Sequence, residues 1–476
     1  MMKLRMLLIP ALLASCTAKT PAPYGPCPSE EQMEWQKMET NMFVHFGPNT
    51  FSGKEWGDGT EAEDMFNPSA LDCGQWAETA KAAGFKGIVI TAKHHDGFCL
   101  WPTSTSSHSV AASRWSEGKG DVLRELSEAC HLYGLKFGVY LSPWDRNHPA
   151  YGYPEYNSLY AKALEEVHTG YGEVFEQWFD GACKPGPNGR KQTYDWPLFH
   201  ETVRRLSPRA VMFSDVGPGC RWMGNERGEA GTTNWSRLDT EGFEPGAGAP
   251  PLDTLKTGNI HGSSWIPAET DVSIRPGWFW KESENDRVKS PEELLEIYYK
   301  SVGRNSLLLL NVPPDDRGRI FEADSLALLA WRGMLDSIFS ENLAEGANAK
   351  ASSTRGRAFR AENILDGNYD SYWAAPDGTK EAEITFSLPE ERRFNRILLQ
   401  EYIPLGQRIC SFEVEASING RWKKIAEGST VGYKRILLTD DTITKAVRLR
   451  ITGALACPLL NNFALYYDSF LQKDSE

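Results

Sequence analysis

Between residues 40 and 340 short apolar or β-branched runs alternate with stretches whose apolar residues recur every three to four positions. The runs Met42-Phe43-Val44-His45-Phe46, Gly87-Ile88-Val89-Ile90-Thr91 and Lys136-Phe137-Gly138-Val139-Tyr140-Leu141 predict strands, and the segments 174–180, 210–215 and 307–311 continue the series. Between them Leu123, Leu126, Cys130 and Tyr133 share one helical face, as do Tyr156, Tyr160, Ala163 and Val167. Asp121 is the expected N-cap of the first of these helices and Gly134 its stop. Repeated strand–helix units over about 300 residues predict an α/β fold, a (β/α)8-like barrel. The stretch from Gly217 to Gly277 is irregular and rich in Gly and Pro. It leaves room for a degenerate strand–helix unit, and so for an imperfect barrel.

The pattern changes after a last helix expected over about 322–339. Beyond Asn342 the chain alternates with period two in short segments such as Glu383-Ile384-Thr385-Phe386, Arg396-Ile397-Leu398-Leu399, Ser411-Phe412-Glu413-Val414-Glu415-Ala416 and Val447-Arg448-Leu449-Arg450-Ile451. With no helix of ordinary length among them, they predict a separate β-sandwich. The expected division is 31–341 for the barrel and 342–476 for the sandwich.

The first residues belong to neither. Lys3 and Arg5 precede an apolar run from Met6 to Leu13, too short to span a bilayer but suited to a signal peptide over residues 1–15. The run ends in Leu13-Ala14-Ser15-Cys16, which resembles a bacterial lipobox. That likeness implies an exported lipoprotein, anchored through lipid on Cys16, in the periplasm or at the cell surface. Few acids follow Cys16, which by the same likeness favours the periplasm. Residues 16–30, with prolines at 21, 23, 26 and 28, are expected to be a short extended tether.

Charge and cysteine usage narrow the chemistry. A formal charge of −13 removes the basic face that a generic nucleic-acid partner would require. Sixteen tryptophans are a surplus that suits core filling or stacking on the flat faces of pyranose rings. Export permits disulfides, yet the remaining cysteines show neither a CxxC pair nor a zinc spacing, and their pairing is not readable. Polar and aromatic residues collect just past the predicted strand ends, where a parallel barrel places its chemistry. His45 closes the first strand, with Glu55 and Trp56 beyond it. Lys93-His94-His95-Asp96-Gly97 follows the second, Ser142-Pro143-Trp144-Asp145 the third, Trp178-Phe179-Asp180-Gly181-Ala182 the fourth and Ser214-Asp215 the fifth.

Asp180, set between aromatics and small residues at a strand tip, suits a nucleophile or a carboxylate that stabilises an oxocarbenium-like centre; a capping or salt-bridged Asp is the plainer alternative. Hydrolysis of a glycoside needs a second carboxyl as proton donor. Glu201, Glu226, Glu229, Glu241 and Glu269 are the candidates; Glu201 falls on a helical pattern, and Glu226 and Glu229 are too close in sequence to separate. His45, His94 and His95 lack a metal-binding spacing and fit neutral hydrogen-bonding imidazoles better than ligands. Cys73, Cys99 and Ser142 lack the setting of a nucleophile elbow.

Assembled in order, these motifs resemble the α-L-fucosidases of glycoside hydrolase family 29. The resemblance rests on Met42-Phe43-Val44-His45-Phe46-Gly47, Glu55-Trp56, the segment 92–98, Trp178-Phe179-Asp180-Gly181 and the segment 308–314. It implies a retaining mechanism on terminal α-L-fucose without a catalytic cofactor, with Asp180 as nucleophile. It implies that His45, Glu55, Trp56, His94, His95, Tyr140 and Trp178 hold the fucose. The segments 221–226 and 265–279 are similar to the subfamily acting on α-1,3/1,4-linked fucose in branched, Lewis-type glycans. That likeness implies Glu226 as acid/base, Trp278 against the fucose, and Glu269 and Asp271 at a neighbouring galactose.

The tail resembles discoidin-like carbohydrate-binding modules of family 32, in which a structural Ca²⁺ often sits at an Asp-Gly-Asn turn. Asp366 and Asp370 would be its oxygen ligands. Two other readings stand beside the main one: a lectin-like surface protein with an inactive barrel, and a glycosidase for a related L-sugar.

Overall fold

The computed structural model describes residues 19–470; the expected signal segment and Cys16 lie outside the described residues. Eight parallel strands close a barrel: β1 (Thr40–Val44), β2 (Gly87–Lys93), β3 (Lys136–Leu141), β4 (Val174–Trp178), β5 (Val211–Ser214), β6 (Cys220–Trp222), β7 (Ala268–Ser273) and β8 (Ser306–Asn311). Amphipathic helices cover the outside. Asp121 caps the helix Val122–Tyr133, accepting from the Arg124 amide, and Gly134 stops it at φ +68°. The last barrel helix is Glu322–Phe339.

The irregular stretch holds two barrel strands rather than a gap. β6 is three residues long and follows β5 with no helix between them, and only the short helix Leu252–Thr257 separates β6 from β7. The barrel is therefore closed, and its irregularity lies in the missing helices.

Two-residue alternation along the strands fixes depth. Phe43 points into the barrel with Val89, Tyr140, Trp178, Phe213, Cys220, Leu307 and Leu309. One step further along their strands, the same face presents His45, Asp180 and Asn311 at the rim. Each rim side chain thus stands on a packed layer.

The tail forms an antiparallel seven-stranded domain. Its two 20-residue strands, Ala382–Glu401 and Arg435–Ala454, pair along their length with register breaks after Ser387 and Phe394 that bend them. Phe386 on one half stacks at 3.8 Å on Phe463, which pairs with the other half. This domain packs against the opening side of the barrel strands, away from the rim. Tyr433 donates its amide to Asn305, and Tyr299 donates its hydroxyl to Asp468. Residues 19–28 are extended as expected but are not a free tether. Arg355 donates to the Lys19 carbonyl, Arg408 to that of Ala22, and the Tyr24 amide to that of Leu405. All eight described cysteines are unpaired, five of them buried. No helix among the described residues is long and apolar enough to cross a membrane.

Candidate active site

The strand ends form a cup of about 150 Å³ lined by His45, Glu55, Trp56, His94, His95, Tyr140, Trp178, Asp180, Glu226, Asp271 and Trp278. Wider grooves of about 420 and 540 Å³ lie among the helices and against the C-terminal domain, away from the carboxyl ends of the barrel strands where Asp180 and the three rim histidines converge.

The three histidines are neutral. Burial lowers His45 to about 3 and His95 to about 4, and holds His94 well below the usual imidazole range. Their tautomers follow from the hydrogen bonds. The Asn311 amide nitrogen donates to Ser273 and to the Trp278 carbonyl, so its oxygen accepts from His45 Nδ1–H at 2.8 Å. The Ser142 hydroxyl gives its one proton to the Trp144 carbonyl, so it accepts from His95 Nδ1–H at 2.8 Å. Both rings are left with Nε2 as an acceptor. His94 Nδ1 is buried without a protein partner. Such acceptors fit sugar hydroxyls, and no metal-binding group forms among these residues.

The two carboxyls have different surroundings. Asp180 Oδ1 accepts from the Ala182 amide at 2.7 Å and Oδ2 from the Tyr140 hydroxyl at 3.1 Å, with His95 Nε2 at 3.8 Å. These donors orient the carboxylate and leave it 27% exposed. Glu226 Oε2 accepts from the Trp278 indole at 3.3 Å. Burial, and then the Asp180 charge, raise Glu226 above the usual carboxyl range. A carboxylate oriented by donors beside an acid whose proton burial favours is the kind of pair that glycoside cleavage uses.

The remaining carboxyl candidates separate by place. Glu229 pairs with Arg304 at 3.6 Å. Glu201 and Glu241 are exposed and outside the cup. Asp271 lines the cup, accepting from the Trp222 indole at 3.0 Å, and is kept well above the usual range by burial and then by the Glu226 charge. Glu269, expected at a galactose, is fully buried inside the barrel and accepts from the Trp178 indole at 2.8 Å. It cannot touch a sugar, because it sits one strand period below Asp271 on the same inward face.

Several partners escaped sequence reasoning. Glu55 accepts from the Trp278 amide and from Lys281, which ties the β1 loop to the β7 loop. The Lys184 ammonium sits 4.0 Å over the Trp56 ring at the mouth. Asp215, noted only as a strand end, is raised to about 6 by burial and by the nearby Asp180 charge. In the C-terminal domain Asp366 accepts from the Asn368 amide and the Ser371 hydroxyl. The turn closes on itself, and no third Asp, Glu, His or Cys joins Asp366 and Asp370 among the described residues. Both oxygens of Asp366 are thus engaged within the turn.

Residues 22–331 match the family model described as Alpha-L-fucosidase, and residues 348–462 match the F5/8 type C domain, the discoidin-like fold. The chain is 42% identical over 94% of its length to Alpha-L-fucosidase 1 of Arabidopsis thaliana, covering 89% of that protein. It superposes on the crystal structure of SpGH29 with a TM-score of 0.90 at 38% identity, covering 94% of this chain and 100% of that one. A Ruminococcus gnavus GH29 fucosidase in complex with fucose gives a TM-score of 0.87 at 32% identity, over 96% and 98% of the two chains. With its acid pair and imidazoles at the rim of a closed barrel, the chain belongs to the alpha-L-fucosidase family of glycoside hydrolases.

Proposed function

We propose that the protein is an exo-acting, retaining α-L-fucosidase that removes terminal α-1,3/1,4-linked L-fucose from branched, Lewis-type glycans. The observation that carries this reading is the unequal pair Asp180 and Glu226 lining one small cup. The neutral imidazoles accept from the fucose hydroxyls, and Trp178 and Trp278 offer apolar faces to the ring and its C5 methyl. Asp180 attacks C1 while Glu226 gives its proton to the departing glycosidic oxygen. The C1–oxygen bond breaks and an ester forms between C1 and the Asp180 carboxylate. Glu226, now ionised, takes a proton from water, the resulting hydroxide equivalent attacks C1, and Asp180 leaves. Nothing in these steps calls on a cofactor.

The export reading is a proposal of the same standing, supported by Leu13-Ala14-Ser15-Cys16. Three residues from Cys16 to Lys19 reach at most about 11 Å, so a lipid on Cys16 brings the C-terminal domain to the membrane. Metabolic labelling with a fatty acid is expected to mark the protein and to fail in Cys16→Ser.

The substrate reading is tested with trisaccharides carrying 3-linked, 4-linked and 2-linked fucose. Release of fucose from the first two and not the third is expected, together with its loss in Asp180→Asn. Preference for the 2-linked sugar would overturn the linkage assignment, and failure on every fucoside would overturn the substrate.

A further inference from the structure

Directly beneath the cup a second carboxyl pair lies inside the barrel. Glu176 on β4 and Glu269 on β7 are both fully buried. Ligand atoms of Glu176, Glu269 and Cys220 all lie within 4.8 Å of one another. The Oε2 oxygens of both acids are buried with no hydrogen-bond donor from the rest of the protein. The groups facing the pair are the Cys220 thiol, the Trp35 and Trp178 indole N–H groups and, one step above Glu269, the Asp271 carboxyl, and none is a cation.

Two carboxylates at this separation without a counter-ion repel too strongly to ionise together. One proton between them satisfies both orphaned oxygens and leaves one negative charge. Burial, and then the Glu176 charge, push Glu269 well above the usual range, and burial pushes Glu176 up as well.

That charge reaches the site through Trp178, and it also acts through space on Asp271 in the cup wall. Glu269 Oε1 accepts from Trp178 Nε1–H at 2.8 Å. The Trp178 ring stacks on Phe213 with centroids 3.8 Å apart and on Tyr140 at 5.3 Å, and it forms a wall of the cup. A carboxylate bonded to the indole N–H draws the proton outward and makes the whole indole more electron-rich, and with the buried charge behind it this strengthens the attraction for a positive charge in the cup. Such a charge develops on the sugar ring as the glycosidic bond breaks.

We propose that Glu176 and Glu269 share one proton and keep one negative charge under Trp178, and that this charge, acting through the indole, stabilises the cationic sugar ring of the transition state. The pair are positioning residues: Glu269 touches Trp178, Glu176 acts through Glu269, and neither reaches the substrate. The inference rests on the fucosidase reading above.

The test uses isosteric amides in the full-length protein. Glu176→Gln and Glu269→Gln each leave one acid free to ionise, whereas the double amide leaves none. Three quantities are measured: kcat on an aryl α-L-fucoside, inhibition by L-fucose, and inhibition by a protonated imino sugar of L-fuco configuration. In the double amide kcat and imino-sugar affinity are expected to fall about tenfold, with fucose inhibition within about twofold of wild type. Each single amide is expected to lose about threefold or less. Equal losses for fucose and imino sugar would mean that the pair only supports packing, and no loss would mean that the charge is absent; either overturns the proposal. So would one stoichiometric metal ion in the wild type that the double amide lacks. If the double amide does not fold, infrared spectra of the single amides decide. The spectrum of the wild type minus that of either single variant is expected to show one buried protonated-carboxyl band, above the bands of acids such as Asp271 that all three share; no difference band in either variant overturns the shared proton. A wild type inactive on every fucoside would instead defeat the fucosidase reading.

Discussion

The barrel holds two carboxyl pairs one layer apart, and their surroundings give them opposite properties. At the rim, Asp180 keeps 27% of its side chain exposed and has two hydrogen-bond donors, so it is open and oriented. In the interior Glu269 has no exposure and a single indole donor. Glu176, Trp178 and Asp180 point the same way at successive steps of one strand, as do Glu269 and Asp271 on another. Depth along a strand, rather than residue type, separates a group that can meet a substrate from one that can act only through a neighbour.

The sharpest way to break this comparison is at the nucleophile. Asp180→Asn is expected to lower kcat by about four orders of magnitude or more without unfolding the protein, read by steady-state kinetics beside a thermal melt. Glu226→Gln should cost about 10²–10⁴-fold on an oligosaccharide and less on an aryl fucoside, whose leaving group needs no proton. Azide is expected to restore turnover to Glu226→Ala on that activated substrate. The pH profile carries a sign. Glu226 must be protonated to act, and burial raises it, so activity should extend upward in pH and fall as Glu226 ionises. Glu226→Gln should flatten that upper limb.

Smaller effects sharpen the same contrast. Asn311→Ala removes the acceptor that fixes the His45 tautomer and should reduce kcat/KM about tenfold. Glu229→Gln loses only a partly exposed pair with Arg304, and both kcat and stability should stay within about twofold and 0.5 kcal/mol. A dead Glu229→Gln beside an active Glu226→Gln would reverse the acid/base assignment.

Much of the barrel was legible because runs such as Lys136–Leu141 are long enough to show their apolar character beside a periodic helix. Cys220–Trp222 was not, since three residues carry no period and no helix marks their end. Rim residues were readable where a motif follows a visible strand, as with Asp180. Glu226 and Glu229 were inseparable in sequence because a local turn sends them apart. Gly228 adopts φ +75° against Ile297, where a Cβ would lie 2.8 Å from that side chain, and the Asn225 side chain accepts from the Arg227 amide. Glu269 was misplaced for a related reason: with the start of its strand hidden, nothing in the sequence gave its depth. The Asp366 turn reads as a cation site in sequence because acidic turns share a composition, and in the structure its carboxylate accepts from the Asn368 amide and the Ser371 hydroxyl.

The central claim is that Asp180 and Glu226 perform a double displacement at C1. Proton NMR of the reaction during its first minutes, before the free sugar mutarotates, tests it most directly. The α anomer of L-fucose appearing first is the predicted result; the β anomer appearing first would contradict it.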